Sequence, residues 1–225
     1  MLARERALQI ALGEAAKHVH EEGGDNTGAR VRQYQAATSL AGTGWAWCDA
    51  FCDFCFQEAG RPLTELHRSA GVELSYDLAK QVGWVVTTPA AGDLVCFQWD
   101  SGDLDHIGFV VEPQGDGSIK TVEGNTSPVA GTGHAQGEGD GVYVKVRPRS
   151  VCAEFIRVPG NVPDPEPAEG YDDWAVWVKG GRKGQRPDVP EKVPADWWAK
   201  IGVALKGDHD AMAPPHVAKK PKVAT

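Results

Sequence analysis

The spacing of apolar residues changes once along the chain, near Gly83, and this change constrains the fold more than any other feature. Before it, apolar residues recur at helical spacing in four segments, at 2–18, 29–38, 48–59 and 72–82. After it come six short β-rich runs separated by Gly, Pro and Asp, namely WVVTT, DLVCFQW, HIGFVVE, IKTVEG, GVYVKVR and AEFIRV. Helices followed by antiparallel strands indicate an α+β domain, which we expect to close near Val158.

The length of 225 residues suits one full-sized domain with an appendage. We expect that domain at 1–158, a Pro-rich, acidic linker at 159–170 and a C-terminal extension at 171–225. The extension contains two tryptophan pairs but few other apolar residues, so we expect it to be partly disordered, with one short helix at 195–205.

Charge is distributed unevenly along the chain. The net charge of −8 argues against a nucleic-acid partner. Residues 171–225 hold ten Lys and Arg against seven Asp and Glu, whereas the rest of the chain holds 13 against 24. A basic tail on an acidic body could anchor on an anionic polymer, and a solvated tail without specificity is an equal alternative.

The five cysteines do not form the pattern of a secreted disulfide framework, because their number is odd and three crowd at Cys48, Cys52 and Cys55. The N-terminal residues carry charges throughout, so we expect no signal peptide. No stretch approaches about 20 apolar residues, so we expect no membrane insertion. These features favour synthesis in a reducing cytoplasm and, for a protein acting outside the cell, a separate route of release.

Cys48 stands where a glycine-rich loop leads into the third predicted helix. The positive end of the helix dipole favours a thiolate there, and free backbone N–H groups can face a developing oxyanion. Cys48 is therefore a candidate nucleophile. Cys52 and Cys55 follow deeper in the helix, where small core residues are expected. A zinc site formed by the three thiols is the alternative, but a helix spaces them poorly for tetrahedral coordination.

His106 begins the predicted strand HIGFVVE, directly after a turn. A neutral imidazole in that place could project from a rigid sheet and take the proton of Cys48. A single histidine is more often structural or exposed, and that alternative stays open for His106 taken alone.

The segment TVEGN places Glu123 and Asn125 at the end of the next strand. A carboxylate or amide bonded to the far nitrogen of His106 would fix the tautomer and orient the ring. The same letters are also good turn chemistry, so a plain turn is the alternative.

The order of these motifs is the most specific feature of the sequence. WCDAF, GDLVCF, DHIGFVV and TVEGN, preceded by DNTGARVRQY, resemble the CHAP domain, the cysteine, histidine-dependent amidohydrolase/peptidase family found in phage endolysins. The resemblance covers about residues 1–158. It implies a papain-like fold and hydrolysis of amide bonds in peptidoglycan.

By match to the family, Cys48 corresponds to the nucleophile and His106 to the base. Glu123 aligns with the orienting acid of the family and Asn125 with its polar companion. Which of these two contacts His106 is left open by the sequence. Candidates for substrate binding are Asn26 and Gly28, by family likeness, and Trp45 and Trp47, by their place beside Cys48. The two tryptophans could equally be packing residues.

The sequence departs from the family at Asp49, where a small residue is common after the nucleophile. The charge of Asp49 would oppose the helix dipole unless it points to solvent or caps the helix. The region HVHEEGGDNTGARV lacks an alternating run of carboxylates, so we expect neither calcium nor any other cofactor, with weak binding at Glu21, Glu22 and Asp25 left open. The loop Gly42–Trp47 is the expected source of a second oxyanion donor.

Together these features predict a monomeric peptidoglycan hydrolase of the endolysin type. It would act through a thioester, as an endopeptidase or an N-acetylmuramoyl-L-alanine amidase. It would be made in the host cytoplasm and act on the wall after release, with residues 171–225 as a possible wall-binding segment. Alternatives are a tail-associated or bacterial remodelling peptidase, a non-catalytic wall-binding module, and a hydrolase of cytoplasmic peptides.

Overall fold

The computed structural model describes residues 1–99, 102–128 and 139–162. Within these residues four α-helices come first, followed by six strands. The helices are α1 Ala3–Ala16, α2 Ala29–Gln35, α3 Cys48–Glu58 and α4 Val72–Gln81. The strands are β1 Val85–Val86, β2 Leu94–Phe97, β3 His106–Pro113, β4 Ile119–Thr126, β5 Gly141–Arg147 and β6 Cys152–Ile156. Two short 3₁₀ turns, Thr64–Leu66 and Arg149–Val151, precede α4 and β6.

The strands form one sheet in the order β1-β6-β2-β3-β4-β5, and every neighbouring pair is antiparallel. The predicted α+β class, with N-terminal helices and an antiparallel sheet, is therefore confirmed. Each of the six β-rich runs of the sequence overlaps one observed strand, because β-favouring residues fill the run and turn-forming residues flank it.

Helix α3 is the central helix of the domain, because α1 and α2 pack on it and it packs in turn on β3 and β4. Phe51 and Phe56 of α3 meet Phe109 of β3 at ring-centroid distances of 6.3 and 5.6 Å. A second, smaller core covers the opposite face of the sheet and includes Val95 and Phe97. The sheet is thus apolar on both faces.

The two ends of the domain lie side by side. The backbone N–H of Ala3 donates to the carbonyl of Gly160 at 3.1 Å, and the N–H of Val162 donates to the carbonyl of Met1 at 3.1 Å. Leu2 and Asn161 form an isolated antiparallel bridge.

The chain divides into two units, Met1–Asp164 and Pro165–Thr225. The domain limits given for 1–158, 159–170 and 171–225 stay predictions, and the C-terminal extension with its helix at 195–205 lies outside the described residues. Within the part of the chain that is described, no helix is long and apolar enough to cross a membrane.

Candidate active site

Helix α3 begins at Cys48, which is only 5% exposed. No side chain caps this end of the helix. Instead, the backbone N–H of Trp47 donates to Oδ1 of Asn125 at 2.8 Å, which ties the helix start to the end of β4. The backbone N–H groups of Asp49, Ile107 and Cys48 itself lie near enough to the Cys48 sulfur to lower the pKa of its thiol. The nucleophile candidate therefore adjoins the start of β3, one residue beyond His106.

The pKa of the Cys48 thiol is raised to about 12, chiefly because the thiol is buried and secondarily because Asp49 lies beside it. The surrounding N–H groups oppose this shift but do not outweigh it. The sequence predicted the opposite direction from the helix dipole alone. Asp49 neither points to solvent nor caps the helix, since it is 2% exposed and accepts a 2.7 Å hydrogen bond from Ser75 Oγ of α4.

His106 is fully buried at the start of β3. Its Nε2 lies 3.1 Å from Oε2 of Glu123, whereas its Nδ1 has no hydrogen-bond partner among the described residues. The ring stacks on Phe97 and Trp99, with centroid distances of 5.5 and 6.4 Å. One ring nitrogen is thus engaged by a carboxylate and the other is open to a proton donor, which is the arrangement a general base requires.

Glu123 is the residue that contacts His106. It is fully buried, and both of its oxygens also accept from Arg147, Oε1 from Nε at 2.9 Å and Oε2 from Nη2 at 2.5 Å. Thr121 donates a further hydrogen bond to Oε1. Burial by itself would raise the pKa of Glu123, but the bonds from Arg147 and His106 hold that pKa at about 2. Glu123 is therefore a stable carboxylate.

Asn125 bonds the start of α3 beside Cys48, the nucleophile candidate, whereas Glu123 bonds His106. Besides accepting from Trp47, it donates from Nδ2 to the carbonyl of Gly139 at 2.9 Å and to Oδ1 of Asn26 at 3.3 Å. Its φ of 56° and the register shift between Glu123 and Thr126 turn its side chain out of the alternation of β4. Of the two polar residues of TVEGN, Glu123 bonds the ring of His106 and Asn125 bonds the start of α3.

Two glycines make these approaches possible. A Cβ at Gly108 would lie 2.6 Å from Cγ of Glu123, so only glycine lets that side chain cross β3 to reach His106. A Cβ at Gly124 would lie 2.6 Å from Cγ of Phe51, so only glycine lets α3 approach β4 this closely. The glycines of HIGFVV and TVEGN are thus each required by the close packing of a neighbouring side chain.

The residues predicted to bind substrate separate into two groups. Trp47 is fully buried, stacks on Tyr34 at 5.3 Å and donates from Nε1 to Glu21 at 2.8 Å, so it is a core residue and not part of a groove. Trp45 is partly exposed, and its carbonyl accepts from Gln35. Gly28 is buried, and a Cβ there would lie 3.1 Å from the backbone nitrogen of Glu22.

Asn26 lines a polar cavity of ≈ 290 Å³ next to Asn125. The other lining residues are Glu21, Asp25, Gly139 and Asp140. Although the lining is rich in oxygen, the described residues contain no group of three or more His, Cys, Asp or Glu placed to hold a metal ion.

Sequence reasoning did not identify Arg147, Phe97 and Trp99, which surround Glu123 and His106. Arg147 ends β5 and is 2% exposed. Its alternation with Val144 and Val146, which are 44% and 59% exposed, places it on the covered face of β5. An arginine at an inward position of a strand needs a buried anion, and Glu123 on the neighbouring predicted strand was the available signal.

The fold and the arrangement of Cys48, His106 and Glu123 are those expected of a cysteine- and histidine-dependent amidohydrolase. Residues 40–125 match the family model of the CHAP domain, which confirms the resemblance seen in the sequence. The matched segment is 86 of the 225 residues, and the CHAP domain that it resembles is characteristic of peptidoglycan amidases and peptidases. The matched segment contains Cys48, His106 and Glu123 and ends at Asn125. Neither curated proteins nor solved structures gave a match to the chain.

Proposed function

We propose that this chain hydrolyses an amide bond of bacterial peptidoglycan by cysteine nucleophilic catalysis, with Cys48 as nucleophile, His106 as base and Glu123 as the group that orients the base. One observation carries the proposal. Glu123 engages Nε2 of His106, Nδ1 has no hydrogen-bond partner among the described residues, and the N–H of the next residue, Ile107, lies near enough to the Cys48 sulfur to lower the pKa of its thiol. The family match supplies the class of substrate.

The acylation step follows from these positions. The carboxylate of Glu123 favours the proton on Nε2, so Nδ1 carries the lone pair that accepts the proton of the Cys48 thiol. The sulfur attacks the scissile carbonyl carbon, and the backbone N–H of Cys48, at the start of α3, is the proposed donor to the oxyanion. The C–N bond then breaks, His106 returns its proton to the leaving amine, and a thioester remains.

Deacylation uses the same groups in reverse. His106 takes a proton from water, the resulting hydroxide attacks the thioester carbon, and the C–S bond breaks. The thiolate regains the proton, which leaves a free carboxylic acid and the resting enzyme. Because the pKa of the resting thiol is raised to about 12, we propose that the proton moves during attack instead of residing on a standing thiolate–imidazolium pair.

The decisive test adds the wild-type protein, Cys48→Ala and Cys52→Ala to purified sacculi and measures turbidity and newly freed amino groups. Cys52 is a matched control, since it is a fully buried thiol one helical turn further along α3. Clearing with new amines by the wild type and Cys52→Ala, and none by Cys48→Ala, supports the proposal. Equal clearing by Cys48→Ala removes it. Mass spectrometry of the fragments then distinguishes an N-acetylmuramoyl-L-alanine amidase from an endopeptidase.

A second candidate, a wall-binding module without catalysis, is favoured by the same burial that raises the pKa of Cys48. Such a module would bind sacculi without releasing amines, and Cys48→Ala would bind equally well. Retention on sacculi measured beside amine release separates the two functions.

Within the hydrolase class we propose the role of a lysin that is made in a cytoplasm and acts on the wall after release. All five cysteines are free and buried, which suits synthesis in a reducing compartment. Expression in a bacterial cytoplasm should leave cells intact until their membrane is permeabilised, and permeabilised cells expressing Cys48→Ala should not lyse. Lysis of intact cells without permeabilisation would contradict this role.

A further inference from the structure

Arg147 holds the general-base side of the site through a two-pronged ion pair. Its Nε and Nη2 each reach a different oxygen of Glu123, at 2.9 and 2.5 Å, and both side chains are buried. A guanidinium and a carboxylate that meet through two parallel bonds fix each other in plane as well as in distance. The orientation of Glu123 toward His106 therefore depends on Arg147.

The same two aromatic rings contact both Arg147 and His106. The guanidinium of Arg147 lies 5.5 Å from the centroid of Phe97 and 5.0 Å from that of Trp99, and the ring of His106 stacks on both. Phe97 and Trp99 stack on each other at 5.3 Å with planes only 6° apart. Arg147 and His106 thus share one carboxylate and one aromatic surface.

From this geometry we infer that Arg147 is a positioning residue that fixes the His106–Glu123 pair and limits its uptake of a proton. The charge of Arg147 already balances that of Glu123, so a proton added to His106 leaves the buried cluster with a net positive charge. Without Arg147 the pair would hold an unbalanced negative charge and would bind a proton more readily, on whichever partner.

Other charged groups near the His106–Glu123 pair interact with it more weakly than Arg147 does. Lys145 on β5 interacts electrostatically with Glu123, but its Nζ donates to the carbonyl of Ser127. The other titratable or charged groups that interact electrostatically with Glu123 are Arg147 and Lys145 from β5 and Cys152 from β6, and Asp105 directly precedes His106 in the chain. Of these, in the part of the chain that is described, Arg147 alone bonds both oxygens of Glu123.

The test follows the pH at which the His106–Glu123 pair takes up a proton, by NMR of the histidine ring in the full chain. This readout needs no substrate, so it stays informative even if the proposed hydrolase function, on which the inference rests, should fail. We expect Arg147→Met to move the midpoint upward by about 1 to 3 pH units, because it removes an opposite charge in direct contact. Lys145→Met, the matched control on the same strand, should move it less.

Arg147→Lys keeps the positive charge but cannot make both hydrogen bonds of the guanidinium to Glu123. The variant therefore tests the positioning role separately from the effect of charge. Its midpoint should stay close to that of the wild type, while kcat for amine release should fall about tenfold with KM nearly unchanged, because a mispositioned base affects the transition state. This variant also decides the matter if Arg147→Met does not fold.

Two results would overturn the inference. One is a folded Arg147→Met variant whose midpoint equals that of the wild type, which would leave Arg147 as a structural residue only. The other is an Arg147→Lys variant with unchanged kcat, which would show that the two-pronged ion pair does not position the base. If activity is absent from the wild type but the midpoint shifts as expected, the proposed function fails and the charge coupling stands.

Discussion

Two buried carboxylates of the candidate site, Glu123 beside His106 and Asp49 beside Cys48, have contrasting environments. Glu123 has no exposed surface and Asp49 has 2%, so burial penalises both charges alike. Yet the pKa of Glu123 is about 2 and that of Asp49 is raised to about 7. Glu123 has Arg147 and His106 as donors, whereas Asp49 has the hydroxyl of Ser75.

Asp53, one helical turn beyond Asp49, adds to this contrast. It is 3% exposed, its Oδ2 has no hydrogen-bond partner among the described residues, and burial together with Asp49 raises its pKa to about 9. The base side of the site therefore carries a fixed negative charge, balanced by arginine. The nucleophile side carries a charge that depends on pH. The difference teaches that the partners of a buried acid, more than its depth, decide its charge.

The largest expected effect comes from neutralising the balanced side with Glu123→Gln. The change leaves the guanidinium of Arg147 buried without a counter-charge, so we expect the free energy of unfolding at pH 7 to fall by about 3–5 kcal/mol. Urea denaturation measures it. Glu65→Gln is the control, because Glu65 pairs with Arg61 at the surface and should lose less than about 1 kcal/mol. Equal losses of unfolding free energy in Glu123→Gln and Glu65→Gln would contradict the distinction between the buried ion pair and the surface pair.

The same acid also predicts a pH dependence in the wild type. The folded pKa of Glu123 lies below its ordinary value of 4.5, so its contribution to stability is present above pH 4.5 and is lost as the pH falls toward about 2. Glu123→Gln should lack that loss.

Gly108→Ala displaces Glu123 without changing any charge. The new Cβ would meet Cγ of Glu123 at 2.6 Å and the carbonyl of Val122 at 2.9 Å, so strand and side chain must both shift. We expect a loss of about 1–3 kcal/mol in unfolding free energy, with a marked fall in kcat. Gly115→Ala, where no atom lies within 4 Å, is the matched control. A wild-type value of kcat in Gly108→Ala would show that activity does not require the close approach of Glu123 to β3 at Gly108.

Asp49→Asn tests the other buried carboxylate of the comparison, the one beside Cys48. The folded pKa of Asp49 is raised from 3.8 to about 7, so its contribution to stability is present below pH 3.8 and is lost as the pH rises toward 7. The variant should be more stable than the wild type at pH 7 by about 1–3 kcal/mol, with a flatter pH dependence between pH 4 and 7.

A second readout of Asp49→Asn is the reactivity of the neighbouring thiol. Asp49 is the second-largest cause of the raised pKa of Cys48, so alkylation of Cys48 by iodoacetamide at pH 8 should be faster in the variant. Asp77→Asn on exposed α4 surface is the control and should change neither measurement. Slower alkylation of Cys48 in Asp49→Asn would contradict the conclusion that Asp49 raises the pKa of the Cys48 thiol.

The smallest expected effect is that of Ser75→Ala. It removes the hydroxyl that donates to Asp49 and should cost about 0.5–1.5 kcal/mol at pH 7. Because that hydroxyl lowers the pKa of Asp49, the pH-dependent loss of stability should extend to higher pH. Ser118→Ala, whose hydroxyl bonds Asp116 in an exposed turn, should leave the region from pH 4 to 7 unchanged. A pH profile identical to the wild type in Ser75→Ala would exclude the assigned bond.

Much of the fold could be predicted because its determinants are local. The run GVYVKVR coincides with β5 and HIGFVVE lies within β3, since alternation and flanking turn residues define both strands. The start of α3 at Cys48 was also visible, because a glycine-rich loop precedes it. The order of Cys48, His106 and Glu123 was sufficient to indicate the family.

What could not be predicted depends on long-range geometry. Glu123 and Asn125 are two residues apart, so strict alternation would put both on one face, and only the bulge with φ 56° at Asn125 separates them. The direction of the Cys48 pKa was wrong because the helix dipole can be inferred from sequence, whereas the burial of Asp49 cannot. The pairing of Arg147 with Glu123 spans 24 positions and has no local signature.

The adjacency of Met1 and Val162 makes the path of the described domain almost a closed ring. Met1 and Val162 exchange backbone hydrogen bonds, so a few added residues could join the two ends without stretching the chain. A circular permutant opened at the exposed turn around Gly115 should therefore keep the nucleophile, the base and their partners in place. For protein engineering, the part of the domain that now comes second along the gene, from that turn onward, could then be encoded first.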